Sequence, residues 1–226
     1  MTKDNKKKTT ASSRSQKFFN IWRSIFLFLI SHVCYMIRFK LIYRLEVYGK
    51  ENIPKNNEYI VAPNHLSTLD PPLMAGIFPR SLAFMAKKEL FYNPFLNWWL
   101  NWLGAFAVDR ENLSVSTIRT VLTIKKTKWA FAIFPQGRRQ EPGVISGITK
   151  GFASLAKTTK CGILPVGIVG THEAKHIPFT GKIVVRIGEL IPYSENVEEM
   201  VNAWVDSIQK LTGFVYEDVK KEAAVS

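Results

Sequence analysis

The sequence predicts an α/β fold in which helices flank one mixed central sheet. Residues 129–134 and 163–169 are continuous apolar runs bounded by proline or glycine, as is typical of central strands buried on both faces. Segments with helical spacing of apolar residues alternate with these and other short apolar runs. This alternation favours a helix-covered sheet, and a chain of 226 residues is long enough to bury its core.

The predicted elements follow one another in a regular order. The strands are residues 41–48, 59–62, 82–86, 105–108, 129–134, 163–169 and 183–187. The helices are residues 71–77, 113–126 and 149–159, with an amphipathic helix at residues 197–221 closing the chain. The first strand alternates apolar with polar residues, which indicates one solvated face. The second is a short apolar run that Pro63 ends, because proline cannot continue the hydrogen-bond ladder.

Two segments precede the α/β domain, which we assign to residues 41–226. Residues 1–17 carry basic side chains among Thr, Ser and Asn, a composition typical of a disordered basic tail. Residues 18–40 are strongly apolar and predict a membrane-associated helix. Their uninterrupted run, residues 25–37, would cover only about 20 Å of a roughly 30 Å hydrocarbon core. A helix lying in the interface is therefore favoured, with a single span and a soluble core helix as alternatives.

The net charge of +13 predicts an anionic partner. Such an excess attracts nucleic acid, anionic lipid or phosphorylated substrates. The basic residues are spread over the tail and helix ends without a nucleic-acid-binding motif, so nucleic acid is not expected as a partner. Cys34 and Cys161 lie in apolar runs without the spacing of metal ligands, and no metal site is predicted.

Residues 64–70 contain the strongest candidate for a catalytic centre. His65 follows the strand that Pro63 ends, and open α/β sheets place their chemistry at such strand ends. Asp70 precedes two prolines, so we expect it to be the N-cap of the next helix. The intervening turn lets the carboxylate approach the imidazole and orient it as a general base. The alternative is that Asp70 only caps the helix and His65 is an ordinary turn residue.

Four blocks of the sequence, taken together, resemble the glycerophospholipid acyltransferase family, in particular its bacterial 1-acylglycerol-3-phosphate acyltransferases. Asn64, His65 and Asp70 match the family's NHxxxxD motif. In chain order the blocks are NHLSTLD (64–70), AKKELF (86–91) with LGAFAVDR (103–110), FPQGRR (134–139), and KGF (150–152) followed by ILPVG (163–167). The resemblance covers about residues 40–190.

The resemblance implies transfer of an acyl group from a thioester to the free hydroxyl of lysophosphatidic acid, giving phosphatidic acid in phospholipid synthesis. The donor is acyl-CoA or acyl carrier protein, and no further cofactor is implied. His65 is the expected general base and Asp70 its orienting carboxylate. Lys87 or Lys88 is the expected oxyanion stabiliser, with a main-chain N–H near the helix start, or two merely solvated lysines, as the alternatives. The alternatives are another lysophospholipid or amino-acid lipid acceptor, or a non-catalytic membrane-binding member.

The resemblance also implies a phosphate-binding loop. Its expected substrate-binding residues are Asn64, Arg110, Gln136, Gly137, Arg138 and Arg139. Arg139 aligns with the arginine of the family's FPEGTR block, and arginine binds phosphate through two parallel hydrogen bonds. Gln136 stands where the family has glutamate, and Arg138 where it has threonine. The loop is therefore more positive than usual, which favours an anionic acceptor and leaves its identity open.

Residues 91–106 form an aromatic-rich stretch with three tryptophans. Tryptophan is favoured at membrane interfaces, where its ring and its N–H both find partners. The stretch predicts membrane contact or the lining of an acyl channel, with plain core packing as the alternative. Together with residues 18–40 it leads us to expect a protein held at the cytoplasmic face of a membrane, either monotopic or with one N-terminal anchor.

Overall fold

Nine strands form the sheets in the part of the chain that the structure, a computed structural model, describes: residues 14–108, 115–173 and 181–217, without the side chains at 34–36, 38, 87 and 108. The strands are β1 (Glu46–Tyr48), β2 (Tyr59–Pro63), β3 (Leu82–Lys87), β4 (Phe106–Val108), β5 (Ala130–Ala132), β6 (Val144–Ile145), β7 (Gly162–Val169), β8 (Val184–Ile187) and β9 (Val215–Tyr216). Strands β6 and β9 pair with each other, and the other seven form the main sheet.

The main sheet has the strand order β1-β8-β7-β2-β5-β3-β4. Every neighbouring pair is parallel except β7 and β8, which are antiparallel. Strand β2 lies near the centre, where Ile60 pairs with Ile163 of β7 on one side and Phe131 of β5 on the other. The predicted α/β fold with a mixed central sheet is thus confirmed.

Seven α-helices accompany the strands in the described residues. They are α1 (Ile21–Phe28), α2 (Ile37–Ile42), α3 (Asp70–Ile77), α4 (Pro94–Trp102), α5 (Val115–Lys125), α6 (Gly151–Thr159) and α7 (Val197–Thr212). A π-helical segment, Leu29–Met36, joins α1 to α2. Short 3-10 turns occur at Gln16–Phe18, Lys50–Asn52 and Lys88–Phe91.

Alternate residues of β2 face two separate helical layers. Ile60 and Ala62 pack in the core that contains side chains of α5, α6 and α7, whereas Val61 packs in the core that contains α2 and α3. Trp204 of α7 is fully buried and donates its indole N–H to the main-chain oxygen of Ala62, at 2.8 Å. The strand that leads to His65 is therefore packed on both faces, because side chains on a strand alternate between the faces of the sheet.

Two predicted elements are shorter in the structure, one at its start and one at its end. The prediction of a strand at residues 41–48 is wrong in its first half, because the helix continues through Ile42 and Arg44 then adopts a left-handed conformation with φ 47°. The helix predicted at 197–221 ends at Thr212, because Gly213 is left-handed with φ 77°. Residues 218–221 lie outside the described residues, as do residues 113–114 at the start of the helix predicted at 113–126.

The N-terminal segment packs onto the domain and leaves one apolar side uncovered. Residues 1–13 of the predicted tail lie outside the described residues, but Arg14 donates its main-chain N–H to Thr120 Oγ1 of α5 at 3.2 Å. Large apolar side chains at least 43% exposed form what we call the exposed apolar stripe: Ile21, Trp22, Ile25, Phe28, Leu29, Val33, Ile37 and Leu41. None of the helices in the described residues combines the length and apolar character needed to cross a membrane.

Candidate active site

Asn64 links the end of β2 to the neighbouring strand β7. Its side-chain oxygen accepts the N–H of Ile168 at 2.6 Å, and its side-chain N–H donates to the oxygen of Ile168 at 2.9 Å. The side chain is buried, with 1% exposure. Both ends of the amide are engaged with the main chain of β7, and the expected substrate-binding role of Asn64 stays a prediction. Asn64 anchors the turn that presents His65.

His65 and Asp70 form a short hydrogen bond in the loop between β2 and α3. His65 Nδ1 lies 2.7 Å from Asp70 Oδ2. The Asp70 side chain is fully buried, whereas the His65 side chain is 17% exposed. Because a carboxylate only accepts, Nδ1 carries the proton in neutral His65 and leaves the lone pair on Nε2 free. This tautomer can accept a proton from a molecule that reaches the exposed side of the ring.

The Asp70 carboxylate is also held by the main chain of its own turn. Asp70 Oδ2 accepts the N–H groups of Leu66 and Ser67, each at 2.7 Å, in addition to its bond with His65. Three donors on one oxygen stabilise a buried negative charge that would otherwise be costly to remove from water. The turn and the carboxylate therefore hold each other in one geometry.

The prediction that Asp70 is a helix N-cap is wrong. Leu69 occupies the N-cap position, and Asp70 is the first residue of α3. An N-cap side chain bonds to N–H groups in the first helical turn, but the two residues after Asp70 are prolines without an N–H. The carboxylate therefore turns back toward Leu66 and Ser67.

A stacked aromatic ring fixes the plane of the His65 imidazole. The ring of Phe134, just after β5, lies 4.1 Å from the imidazole centroid at an angle of 24°. Phe84 of β3 in turn stacks on Phe134, with the two ring centroids 6.0 Å apart. Sequence reasoning missed this role, although Phe134 opens the FPQGRR block and was part of the predicted strand. The stack limits rotation of the imidazole about its Cβ–Cγ bond.

The loop after Phe134 holds the main chain of His65 from both sides. Gln136 accepts the N–H of His65 through Oε1 at 2.9 Å, and the N–H of Gln140 donates to the oxygen of His65 at 2.9 Å. Gln136 is only 3% exposed. The geometry therefore gives Gln136 a part in positioning His65, and its expected role in binding substrate stays a prediction. Gln140 was not predicted, because a main-chain contact leaves no sequence signal.

The two loop arginines that are expected to bind phosphate are exposed to solvent. Gly137 adopts φ 66°, and its N–H donates to the oxygen of Phe134 at 2.9 Å, which closes a tight turn. A left-handed backbone explains the glycine, since open space surrounds the position of a Cβ atom there. Arg138 and Arg139 follow as exposed residues. They lie beyond the carboxyl end of β5, the same sheet edge as His65.

For three other predicted residues, the described atoms give no contact with His65. Lys87 is the last residue of β3, but its side chain is not described, and Arg110 lies outside the described residues. Lys88 begins the 3-10 turn after β3. Because β5 separates β3 from β2, this turn starts about 10 Å across the sheet from the His65 strand. The oxyanion role of Lys87 or Lys88 and the phosphate role of Arg110 stay predictions.

Comparison with known proteins gives consistent similarities. Residues 44–169, which include every candidate site residue, match the acyltransferase family. The chain is 32% identical over 176 residues to the 1-acyl-sn-glycerol-3-phosphate acyltransferase of Bacillus subtilis, covering 74% of this chain and 87% of that protein. It is also 32% identical over 174 residues to the same-named protein of Streptococcus pneumoniae, covering 73% and 64% respectively.

A solved structure shares the fold. The crystal structure of the 1-acyl-sn-glycerophosphate (LPA) acyltransferase PlsC from Thermotoga maritima superposes with a TM-score of 0.60 at 30% identity. The alignment covers 75% of this chain and 71% of that one.

Replacing Gln136 with leucine is expected to destabilise the protein. The substitution leaves the N–H of His65 without its acceptor, a loss of about 1–3 kcal/mol in the free energy of unfolding. Gln136→Glu keeps an acceptor oxygen and should lose less. Urea unfolding followed by circular dichroism measures both, with Gln209→Leu on α7 as the matched control. If Gln136→Leu were as stable as the wild type, the contact would not hold the loop together.

Proposed function

The chain belongs to the acyltransferase family, and on that premise we propose that it transfers an acyl group from a thioester to the free hydroxyl of lysophosphatidic acid. The product is phosphatidic acid, in phospholipid synthesis. The relatives named 1-acyl-sn-glycerol-3-phosphate acyltransferase support this choice of reaction, as does the Thermotoga maritima enzyme. The observation that carries the proposal is the hydrogen bond between His65 and the buried Asp70.

In the proposed reaction His65 acts as the general base. Its Nε2 takes the proton of the acceptor hydroxyl as that oxygen attacks the thioester carbonyl carbon, forming a tetrahedral oxyanion. The carbon–sulfur bond then breaks, and Nε2 returns the proton to the leaving thiolate. Asp70 stabilises the imidazolium that exists between these two steps. The reaction balances without a covalent acyl-enzyme, because the acyl group passes directly from sulfur to oxygen.

The developing oxyanion requires positive charge or hydrogen-bond donors. We assign this role to Lys87 or Lys88, at the end of β3 and the start of the 3-10 turn after it. Because β3 and β5 are parallel, this end of β3 lies at the same sheet edge as the FPQGRR loop. The donor is acyl-CoA or acylated acyl carrier protein, since either carries the thioester carbonyl that the acceptor hydroxyl attacks. No cofactor takes part in the proposed steps.

The acceptor phosphate is assigned to the arginines of the FPQGRR loop. Arg138 and Arg139 are exposed beside the carboxyl end of β5, and Arg139 holds the position of the family's motif arginine. Arg110 is a further proposed contact. Because Gln136 is a neutral hydrogen-bond acceptor, the FPQGRR block itself has no carboxylate that would offset these charges. This supports an anionic acceptor over a neutral one.

We also propose that the protein works at a membrane surface. Phe26 of α1 contacts the rings of Trp99 and Trp102 of α4, with ring centroids 6.4 and 4.8 Å apart. The helix that carries the exposed apolar stripe therefore adjoins α4, whose Phe95 and Trp98 are 70% and 53% exposed. Adjoining apolar surfaces of this kind are typical of contact with a lipid interface. Residence at the cytoplasmic face stays a prediction.

Removing the imidazole of His65 is expected to abolish most of the activity. His65→Ala should lower kcat by roughly 10²–10⁴-fold, because general base catalysis contributes about that factor. Asp70→Asn should also lower kcat, since the imidazolium loses its stabilising charge. Release of free thiol from acyl-CoA measures the rate, and His172→Ala, which changes a loop histidine, is the matched control. Full activity in His65→Ala would contradict the base assignment.

The acceptor assignment can be tested with a panel of lipids. Purified protein, acyl-CoA and acceptors with or without phosphate should give the highest kcat/KM with lysophosphatidic acid. Arg139→Gln should raise KM for lysophosphatidic acid by about tenfold or more, because a charge-assisted contact worth roughly 1.5–3 kcal/mol is lost. Arg119→Gln on α5 removes an equal charge elsewhere. A phosphate-free acceptor that outcompetes lysophosphatidic acid would overturn the substrate assignment.

The membrane surface can be tested separately from catalysis. Replacing Phe95 and Trp98 together with glutamine should weaken binding to phosphatidylcholine vesicles at least about tenfold, since two exposed aromatic side chains no longer enter the lipid interface. Vesicle sedimentation measures the bound fraction. Val215→Gln on β9, a side chain that is 62% exposed, is the control. Equal losses in both proteins would argue against a specific lipid-facing surface.

A further inference from the structure

A second candidate site lies away from His65, beneath the N-terminal helix. A cavity of about 420 Å³ separates this helix from the turn after α3 and from the residues that precede β5. Ser24 and Ser31 line it from the helix, Arg80 and Ser81 from the turn, and Lys128 from the third segment. None of these residues takes part in the proposed acyl transfer.

The cavity lies at the sheet edge opposite the candidate active site. Ser81 and Lys128 precede β3 and β5, whereas His65 follows the parallel strand β2. Helix α3 connects the two regions, since it begins at Asp70 beside His65 and ends just before the turn that lines the cavity. Its eight residues span about 12 Å. A ligand in the cavity is therefore distinct from a substrate at His65.

The lining has the chemistry of an anion site. Arg80 and Lys128 supply positive charge, while the hydroxyls of Ser24 and Ser81 bond to each other and Ser31 donates to the main-chain oxygen of Leu27. The Arg80 guanidinium donates to the main-chain oxygen of Lys55, which limits its movement. No carboxylate occurs among the described residues that line the cavity. Two cations on a lining without a carboxylate are suited to a phosphate group, whose oxygens accept several hydrogen bonds.

A histidine in the lining adds a buried polar atom. Nδ1 of His32 is shielded from solvent. Its ring stacks on Phe28, with the centroids 4.1 Å apart. Burial, followed by the charge of Lys50, lowers the pKa of His32, while the Phe28 carbonyl opposes this effect.

The surroundings of the cavity favour a lipid over a soluble phosphate ester. Phe28 lines the cavity and also belongs to the exposed apolar stripe, at 55% exposure. Leu27 and Phe78 give the lining further apolar surface. A molecule whose phosphate enters the cavity can therefore continue along an apolar surface, as the acyl chains of a phospholipid do.

We propose that this cavity binds the phosphate headgroup of an anionic membrane phospholipid, whose acyl chains lie along the exposed apolar stripe. The proposal rests on the proposed membrane association but not on the acyl-transfer chemistry. The bound lipid is not acylated, because His65 lies at the other edge of the sheet. It holds the N-terminal helix and the turn after α3 at the membrane surface.

The test uses the full chain and vesicles of two compositions, phosphatidylcholine alone and phosphatidylcholine with phosphatidylglycerol. Wild-type protein should bind the anionic vesicles more tightly. The double substitution Arg80→Gln with Lys128→Gln should remove about tenfold or more of that preference, because basic residues near an anionic surface each contribute to binding. Binding to neutral vesicles should remain unchanged. A preference as large as that of the wild type would overturn the proposal.

A matched variant separates the cavity from general charge. Arg119→Gln with Lys210→Gln removes the same charge from exposed positions on α5 and α7, and it should keep the preference for anionic vesicles. An equal loss in this variant would overturn the proposal in favour of unspecific attraction. Lys128→Glu changes an exposed side chain, so it tests the cavity even if the double variant fails to fold. It should also lose the preference, and retention would contradict the proposal.

Two further measurements distinguish the source of the phosphate and the two functions. Inorganic phosphate at constant ionic strength should not displace anionic vesicles, and displacement at low concentration would indicate a soluble phosphate site instead. Acyl transfer to a short-chain acceptor in solution should be unchanged in Lys128→Glu, since Lys128 is not assigned to catalysis. Loss of vesicle preference with intact transfer supports the cavity proposal, and loss of both would overturn its separation from the active site.

Discussion

The buried carboxylate of Asp70 is the constraint on which the candidate active site depends. Its Oδ2 accepts hydrogen bonds from His65, Leu66 and Ser67, so one oxygen holds both the imidazole and the turn that carries it. A carboxylate that is fully excluded from water requires such donors. The two prolines after Asp70 have no N–H to offer, so the carboxylate bonds to N–H groups of the turn that precedes it. Removing the charge would therefore affect the turn as well as the histidine.

The rest of the sheet edge is arranged around the residue that Asp70 holds. Asn64 bonds the turn to β7 on one side, and Gln136 bonds it to the loop after β5 on the other. Phe134 limits rotation of the imidazole ring. Strands β7, β2 and β5 are parallel neighbours, so their carboxyl ends lie side by side and can share one histidine. The neutral Gln136 fits this role, since the N–H of His65 needs an acceptor rather than a charge.

Much of the fold was predictable from local patterns, and the failures have a physical cause. The apolar runs that became β2, β5 and β7 were identified because buried parallel strands are continuously hydrophobic. The strand predicted at residues 41–48 begins only at Glu46, because the preceding helix continues through Ile42 and the left-handed turn at Arg44 gave no sequence signal. Asp70 was predicted to be an N-cap because proline is favoured in the first turn of a helix. Its side chain instead accepts N–H groups from residues that precede it in the chain.

The sequence by itself determined the α/β class, the pairing of His65 with Asp70 and the loop that carries the arginines, because each depends on residues close together in the chain. Only the tertiary structure decided what Asn64 and Gln136 contact, since their partners are 104 and 71 residues away. It also brought Arg80 and Lys128 to one cavity beneath the N-terminal helix. Contacts between distant segments arise from the order of strands in the sheet, and the local sequence does not encode that order directly.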